Sequence, residues 1–211
     1  MRVDWQEFFP LVKQHCDQVP DPVLLTAIRA AACDFCEKSL AYRADFDPLI
    51  IIAGMSEYEM DPPDIETRVV TPLYVELDGE KLTETCEDAM PVAWRAEAAG
   101  KTKNYLVMAA QSLWLYPTPA TASTTGLFIR AALKPTRIST GVEDVLLEDH
   151  GETIAHAAVA RIMEISKKPW SDAQLAVYHA GKYAESLAVA KLRSRKGNTM
   201  ADLRVQVRPF I

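Results

Sequence analysis

Two long segments with helical periodicity, separated by a proline, limit most strongly what this chain can fold into. Apolar residues recur at spacings of three and four in 149–167 and again in 171–196, which is the pattern of two amphipathic helices. Pro169 lies between them and disfavours helical geometry in the residue before it. We expect Ser171 to cap the second helix, with Gln174 completing a capping box. The sequence therefore predicts a helical hairpin.

Alanine is frequent on the predicted contact faces of this hairpin. For the second helix the predicted contact positions are Val177, Ala180, Ala184, Leu187 and Lys191. Small side chains let helices approach closely, but two such helices need a third to complete a core. That helix is predicted from Asp21 to about residue 42, with Pro22 at its first position. Its predicted buried face consists of Leu24, Ile28, Ala31, Ala32, Phe35 and Cys36. A shorter helix is predicted at 4–19.

The periodicity changes to that of β-strands after residue 46. Strands are predicted at 49–53, 67–77, 105–109, 112–116 and 126–133. Asp78-Gly79 is a strong signal for a two-residue hairpin turn, and 85–99 is predicted to be helical. The fold class is therefore α+β, a helical bundle with an inserted small antiparallel β domain. We assign 1–45 and 145–197 to the bundle, 46–144 to the β domain, and 198–211 to an extended C-terminal arm.

The C-terminal arm alternates apolar and polar residues, which is the pattern of a strand with no partner in its own segment. We expect it to pair with another protein surface, with a frayed chain end as the alternative. The residues expected to contact the partner are Leu203, Arg204, Val205, Val207, Arg208, Phe210 and Ile211.

Several functional classes are disfavoured by the whole sequence. No apolar run approaches the roughly 20 residues of a membrane-spanning helix, and the first residues do not resemble a signal peptide. We therefore expect no membrane association and a protein that stays in the cytoplasm where it is made. The formal net charge is −6, which argues against nonspecific binding to nucleic acid.

No catalytic, metal or cofactor site is predicted. The sequence lacks the common nucleophile, phosphate-loop, dinucleotide and zinc-protease motifs. Cys33 and Cys36 form a C-x-x-C without the second pair that zinc needs. His150 and His156 do not share a helix face, and His15 and His179 stand alone in the sequence. Two alternatives remain open, namely a small cytoplasmic enzyme without a recognisable motif and a monomeric binding or scaffold protein.

Four stretches in a fixed order carry a resemblance to a known family. They are IRAA at 28–31 within the 22–42 helix, SLWLYPTP at 112–119, IRAALKPT at 129–136, and IAHAA at 154–158 followed by KPWSD at 168–172. Taken together, they resemble the head-to-tail adaptor (connector) proteins of tailed bacteriophages, and the chain is similar to podovirus adaptors of the tail tubular protein A type. Segments 57–66 and 85–99 have no counterpart in this resemblance.

The resemblance implies a virion structural protein rather than an enzyme. It implies a ring of about twelve copies beneath the portal protein, with closed cyclic symmetry, and allows a monomer when the protein is isolated. The ring would join the capsid to the tail tube or nozzle protein in the neck of the virion, after assembly in the host cytoplasm. Genomic DNA would pass through without specific binding. We expect Glu57, Glu59, Asp61 and Glu66 to line this channel and repel the DNA backbone.

Overall fold

A computed structural model describes residues 1–92, 94–96, 98–109 and 111–197. The helices in this part of the chain are α1 (Phe9–Lys13), α2 (Asp21–Ser39), α3 (Asp144–Glu148), α4 (Gly151–Met163) and α5 (Ala173–Lys196). The predicted arm, with all seven of its candidate contact residues, lies outside the described residues.

Helix α2 has the buried face that the sequence predicts. All six predicted positions are buried, from Leu24 to Cys36. Pro22 lies in the first turn, where its missing N–H would have no helical partner. The helix ends at Ser39, three residues earlier than predicted, because Leu40 adopts a left-handed conformation with φ of 54°.

Helices α4 and α5 lie in the two segments with helical periodicity and pack against each other. Two details of the prediction were wrong. Helix α4 ends at Met163, before Pro169, and Lys167 has a positive φ of 62° in the connection. Asp172, not Ser171, caps α5, since its carboxylate accepts hydrogen bonds from the amides of Gln174 and Leu175. The hydroxyl of Ser171 instead accepts from the Lys168 amide at 2.9 Å within the connection.

The strands form three sheets in the described residues. The strands are β1 (Arg2–Asp4), β2 (Arg43–Asp45), β3 (Leu49–Ile51), β4 (Glu57–Glu59), β5 (Thr67–Leu77), β6 (Glu80–Lys81), β7 (Thr83–Glu84), β8 (Asn104–Ala109), β9 (Ser112–Tyr116), β10 (Ser123–Pro135) and β11 (Gly141–Glu143). The largest sheet has the order β2-β10-β5-β6, with β3 also paired to β10. A second sheet has the order β4-β9-β8-β7, in which only the β7–β8 pair is parallel.

The predicted Asp78-Gly79 hairpin is confirmed. Leu77 pairs with Glu80 across the turn, and both turn residues have positive φ, 51° and 83°. Such angles are characteristic of a two-residue turn between twisted antiparallel strands, and glycine adopts them without steric cost.

Segment 85–99 is not the predicted helix. Its described residues contain only two short 3₁₀ turns, Glu87–Ala89 and Trp94–Ala96. Pro91 interrupts the segment and cannot donate a helical hydrogen bond. The buried Trp94 packs edge-on against Trp114 of β9, with ring centroids 5.7 Å apart. Packing against the sheet therefore prevails over the local helical preference.

The chain's first residues are also different from the helix predicted at 4–19. Strand β1 pairs with β11, and a 3₁₀ turn at Trp5–Phe8 precedes α1. Gly141 is required here, because a Cβ at that position would lie 2.4 Å from the Val3 carbonyl oxygen. The indole of the buried Trp5 donates to the Ser139 carbonyl at 2.9 Å. The N-terminus is thereby attached to the segment that leads into α3.

The hydrophobic core is continuous from the helices to the sheets. Helix α2 contacts α4 and α5 and also contacts β10. One cluster of buried side chains includes Ile28 of α2, Ile154 of α4, Ile129 of β10 and Leu115 of β9. The division into a bundle and an inserted β domain stays a prediction.

A single carboxylate connects the three longest helices. Asp34 of α2 accepts hydrogen bonds from the Tyr183 hydroxyl of α5 at 2.6 Å and from Lys38 at 2.9 Å. Arg161 of α4 approaches the same carboxylate to 3.6 Å. Burial acts to raise the pKa of Asp34, but these hydrogen bonds and cations outweigh it, so the pKa lies below its ordinary value.

Candidate assembly surfaces

Helix α5 has most of its surface exposed. Among its residues only Ala176, His179 and Ala190 are fully buried. The predicted contact face was correct only at Leu187, which packs against the core. Val177 is 74% exposed, and Ala180, Ala184 and Lys191 are exposed as well. The true contact face includes His179, Tyr183 and Ser194, which an apolar pattern cannot reveal. Their polar atoms are hydrogen-bonded to neighbouring elements, so burial costs little.

The side of α5 that faces away from the core carries a regular stripe. The outer stripe consists of Tyr178, Lys182, Glu185, Val189 and Leu192. The spacings of four and three residues place these side chains on one helix face, as in the seam of a coiled coil. Tyr178, Val189 and Leu192 are 55%, 62% and 52% exposed, and Lys182 pairs with Glu185 at 3.2 Å between them. Three exposed apolar side chains on the outer face of one helix, with a charged pair between them, are a candidate interaction surface.

A second apolar surface lies on α2 and the end of α4. This α2–α4 groove has a volume of about 510 Å³ and is lined by Pro22, Val23, Thr26, Ala27, Ala30, Arg161 and Ile165. Ala27 and Ala30 are half-buried at the side of α2 that borders α4, and their short side chains leave space in the groove. The outer stripe and the groove are thus two different apolar surfaces on one subunit.

The four predicted channel residues occupy two places. Glu57 and Glu59 are exposed on β4, an edge strand that pairs with β9, and Glu57 accepts a hydrogen bond from Ser112 at 2.7 Å. Asp61 is exposed just beyond that strand. Glu66 is half-buried before β5, where it accepts from the Thr140 amide at 2.7 Å. It also forms an ion pair with Arg2, so its charge is largely compensated.

The C-x-x-C pair consists of packed thiols. Cys36 is buried, and the Cys33 thiol donates to the Pro135 carbonyl oxygen at 3.1 Å. Burial raises the pKa of both thiols. Because a thiolate is the form that binds metals and attacks disulfides, neither side chain is suited to those roles.

Three of the four histidines come together, contrary to the expectation that they stand apart. His15 follows α1, His156 lies in α4, and His179 lies in α5. A ligand nitrogen from each ring lies within 4.8 Å of the other two, and the Nδ1 atoms of His156 and His179 are 2.9 Å apart. Residues 15, 156 and 179 are too far apart in sequence for any local spacing to reveal this histidine cluster.

The histidine cluster favours neutral rings. Burial lowers the pKa of His156, and the neighbouring His15 lowers it further. For His179 the causes are again burial first, then His15 and His156. A second positive charge on adjacent rings would be repelled. The neutral form of both imidazoles is therefore favoured, and one Nδ1 atom donates a hydrogen bond to the other.

Comparison with known proteins identifies one family. A family model described as SU10 adaptor protein matches residues 4–207, which is nearly the whole chain. No curated protein matches the sequence. Within the described residues, no helix is long and apolar enough to cross a membrane.

Proposed function

Because the chain belongs to the SU10 adaptor protein family, and is therefore a phage structural adaptor of the virion neck, we propose that it forms a ring beneath the portal. The ring joins the capsid to the tail tube or nozzle protein and continues the channel for the genome. Its role is structural rather than catalytic. The outer stripe of α5 is the observation that carries this proposal.

A closed ring needs two different surfaces on each subunit, since each copy contacts its neighbours head to tail. The outer stripe and the α2–α4 groove supply such a pair. In the proposed contact, α5 of one subunit packs its stripe into the groove of the next, and Ala27 and Ala30 allow the close approach.

The energetics favour assembly on a template rather than in free solution. Burying the exposed parts of Tyr178, Val189 and Leu192 contributes on the order of 1 kcal/mol per side chain. Association costs roughly 4–15 kcal/mol in lost rigid-body freedom, so two free subunits gain too little to remain together. Subunits already held side by side by the portal have lost most of that freedom. The isolated protein is accordingly expected to be a monomer and the ring to form on the portal.

The test of the stripe is a pair of charge insertions. Val189→Glu with Leu192→Glu places two carboxylates in the proposed contact, while Val92→Glu makes the same change at a fully exposed site in the β region. Both proteins are expected to fold and melt like the wild type. In gradient sedimentation with the portal of the same phage, wild type and Val92→Glu co-sediment with the portal in full amount, whereas less of the stripe variant does, because each attached copy lacks its lateral contacts. Undiminished co-sedimentation of the stripe variant contradicts the proposed contact.

The channel wall is proposed to carry the exposed acidic residues. Glu57, Glu59 and Asp61 repel the phosphate backbone over roughly 8 Å at physiological salt, so DNA slides past without being held. Glu66 is the weakest of the four candidates, because Arg2 compensates its charge. Exchanging Glu57, Glu59 and Asp61 for glutamine should leave assembly unchanged and slow DNA ejection from particles. DNA ejection at the wild-type rate would show that these residues do not line the channel.

The C-terminal arm is proposed as a second docking element. Its alternating apolar residues suit the addition of a strand to an open sheet edge on the portal or on a neighbouring subunit. Removal of residues 200–211 should leave the melting temperature of the protein nearly unchanged and abolish its attachment to the portal. Normal attachment of the truncated protein would show that the arm is dispensable.

A further inference from the structure

We propose that His15, His156 and His179 form a binding site for a transition-metal dication of the Zn²⁺ class. Three elements supply one ligand each: the turn after α1, helix α4 and helix α5. The site is independent of the ring, because every ligand belongs to the same subunit.

The geometry lies close to what such an ion needs. Imidazole nitrogens bind Zn²⁺ at about 2.0–2.1 Å in a tetrahedral arrangement, which places neighbouring ligand nitrogens about 3.4 Å apart. The Nδ1 atoms of His156 and His179 are 2.9 Å apart, and the nitrogens of the set all lie within 4.8 Å. Coordination of one ion then requires the more distant of these nitrogens to approach one another.

The ligand chemistry selects the kind of metal. Imidazole suits Zn²⁺, Cu²⁺, Ni²⁺ and Co²⁺, whereas Mg²⁺ and Ca²⁺ require oxygen ligands that this cluster does not offer. Imidazole binds such an ion in its neutral form. Three protein ligands leave one coordination position for water.

The pattern of burial suits ion entry from solvent. His179 is buried and His156 is half-buried, while His15 is exposed at the mouth of the cluster. Two charged side chains act in opposite directions on the pKa of His156: Glu152 of α4 raises it and Lys182 of α5 lowers it. The alternative is a simple hydrogen bond between His156 and His179 with His15 packed beside them. That arrangement would need no ion.

A bound ion would fix α5 relative to α1 and α4. Helix α5 carries the outer stripe, and its buried residues are mostly small, so a metal crosslink at His179 would stabilise its position. The resulting increase in thermal stability should be measurable on the isolated full-length chain, without the portal. At a free Zn²⁺ concentration 100 times Kd, ligand linkage predicts a rise in Tm of roughly 5–10 °C for a chain of this size.

The experiment uses protein freed of metal with a chelator and then dialysed. Titration with Zn²⁺ in a calorimeter should give one site per chain, and Co²⁺ should give the visible absorption of a tetrahedral nitrogen site. His15→Ala is the first variant, because an exposed side chain can be removed without loss of the fold. His179→Gln is the second. Each should weaken Zn²⁺ binding by more than the roughly 10–100-fold typical of outer-shell changes.

The fourth histidine provides the matched control. His150 packs against Phe35, with ring centroids 4.7 Å apart, and is not part of the cluster. His150→Gln should therefore bind Zn²⁺ like the wild type. Two outcomes overturn the proposal: folded wild-type protein shows no saturable binding of Zn²⁺, or binding persists unchanged in both His15→Ala and His179→Gln.

Discussion

Asp34 illustrates how one polar residue can hold helices together. Its carboxylate accepts hydrogen bonds from Tyr183 of α5 and Lys38 of α2 and lies near Arg161 of α4. Half-burial of a carboxylate without such partners would be costly. This contact could not be predicted from the sequence, because nothing local marks a tyrosine 149 positions away as the partner.

Removal of one hydroxyl tests this connection. Tyr183→Phe keeps the ring but leaves Asp34 without its donor from α5, which should cost about 1 kcal/mol of unfolding free energy because the carboxylate is partly exposed. The pKa of Asp34 should rise, since a hydrogen bond that favours the charged form is lost. Urea unfolding and an NMR titration of Asp34 measure the two effects. Tyr178→Phe, at an exposed position of the same helix, is the control and should change neither quantity.

The histidine cluster predicts sensitivity to acid in the metal-free protein. The pKa values of His156 and His179 are lowered in the folded state, so below about pH 6.5 the unfolded chain binds more protons than the folded chain. The stabilising contribution is present above that pH and is lost as the pH falls. With a chelator present, Tm should decline between pH 7.5 and 5.5, and less steeply for His156→Gln. Parallel pH profiles for the two proteins would contradict this assignment.

At the scale of elements, the start of α5 is set by its cap. Asp172→Ala removes the acceptor for the Gln174 and Leu175 amides and should lower the unfolding free energy by about 1 kcal/mol. Asp172→Asn keeps an acceptor at the same place and should cost less. Urea unfolding of the three proteins measures the difference. Equal stability of wild type and Asp172→Ala would mean that the cap contributes nothing.

The elements that could be predicted from the sequence are those with strong local signals. The buried face of α2 follows from apolar spacing, and the Asp78-Gly79 hairpin follows from turn chemistry. Apart from Leu187, the contact face of α5 could not be predicted, because His179 and Tyr183 pack against partners far away in the chain. The prediction of a helix at 85–99 was wrong for a related reason, since Trp94 packs onto β9. Among the candidate sites, the exposed glutamates could be predicted from the sequence. The outer stripe and the histidine cluster could be recognised only once the fold was known.

At the scale of the whole molecule, the core and the exposed surfaces are those expected of a subunit that contacts other subunits. Its hydrophobic core is continuous from the helices to the sheets, so strain at the helices can be transmitted to the sheets. Its longest helix turns an apolar stripe outward, and a separate apolar groove lies on α2 and α4. The acidic residues of β4 occupy a different surface from both. These placements support a ring in which helices make the lateral contacts.

The central claim is that the protein forms a ring on the portal, and electron microscopy of the two purified proteins together tests it most directly. Averaged images of the portal with wild-type protein should show one added ring of density, coaxial with the portal, with an open central channel and helical contacts between neighbouring subunits. If the portal shows no added density at a saturating concentration of the protein, the proposed ring is contradicted. Separate copies bound to the portal without touching one another would contradict it equally.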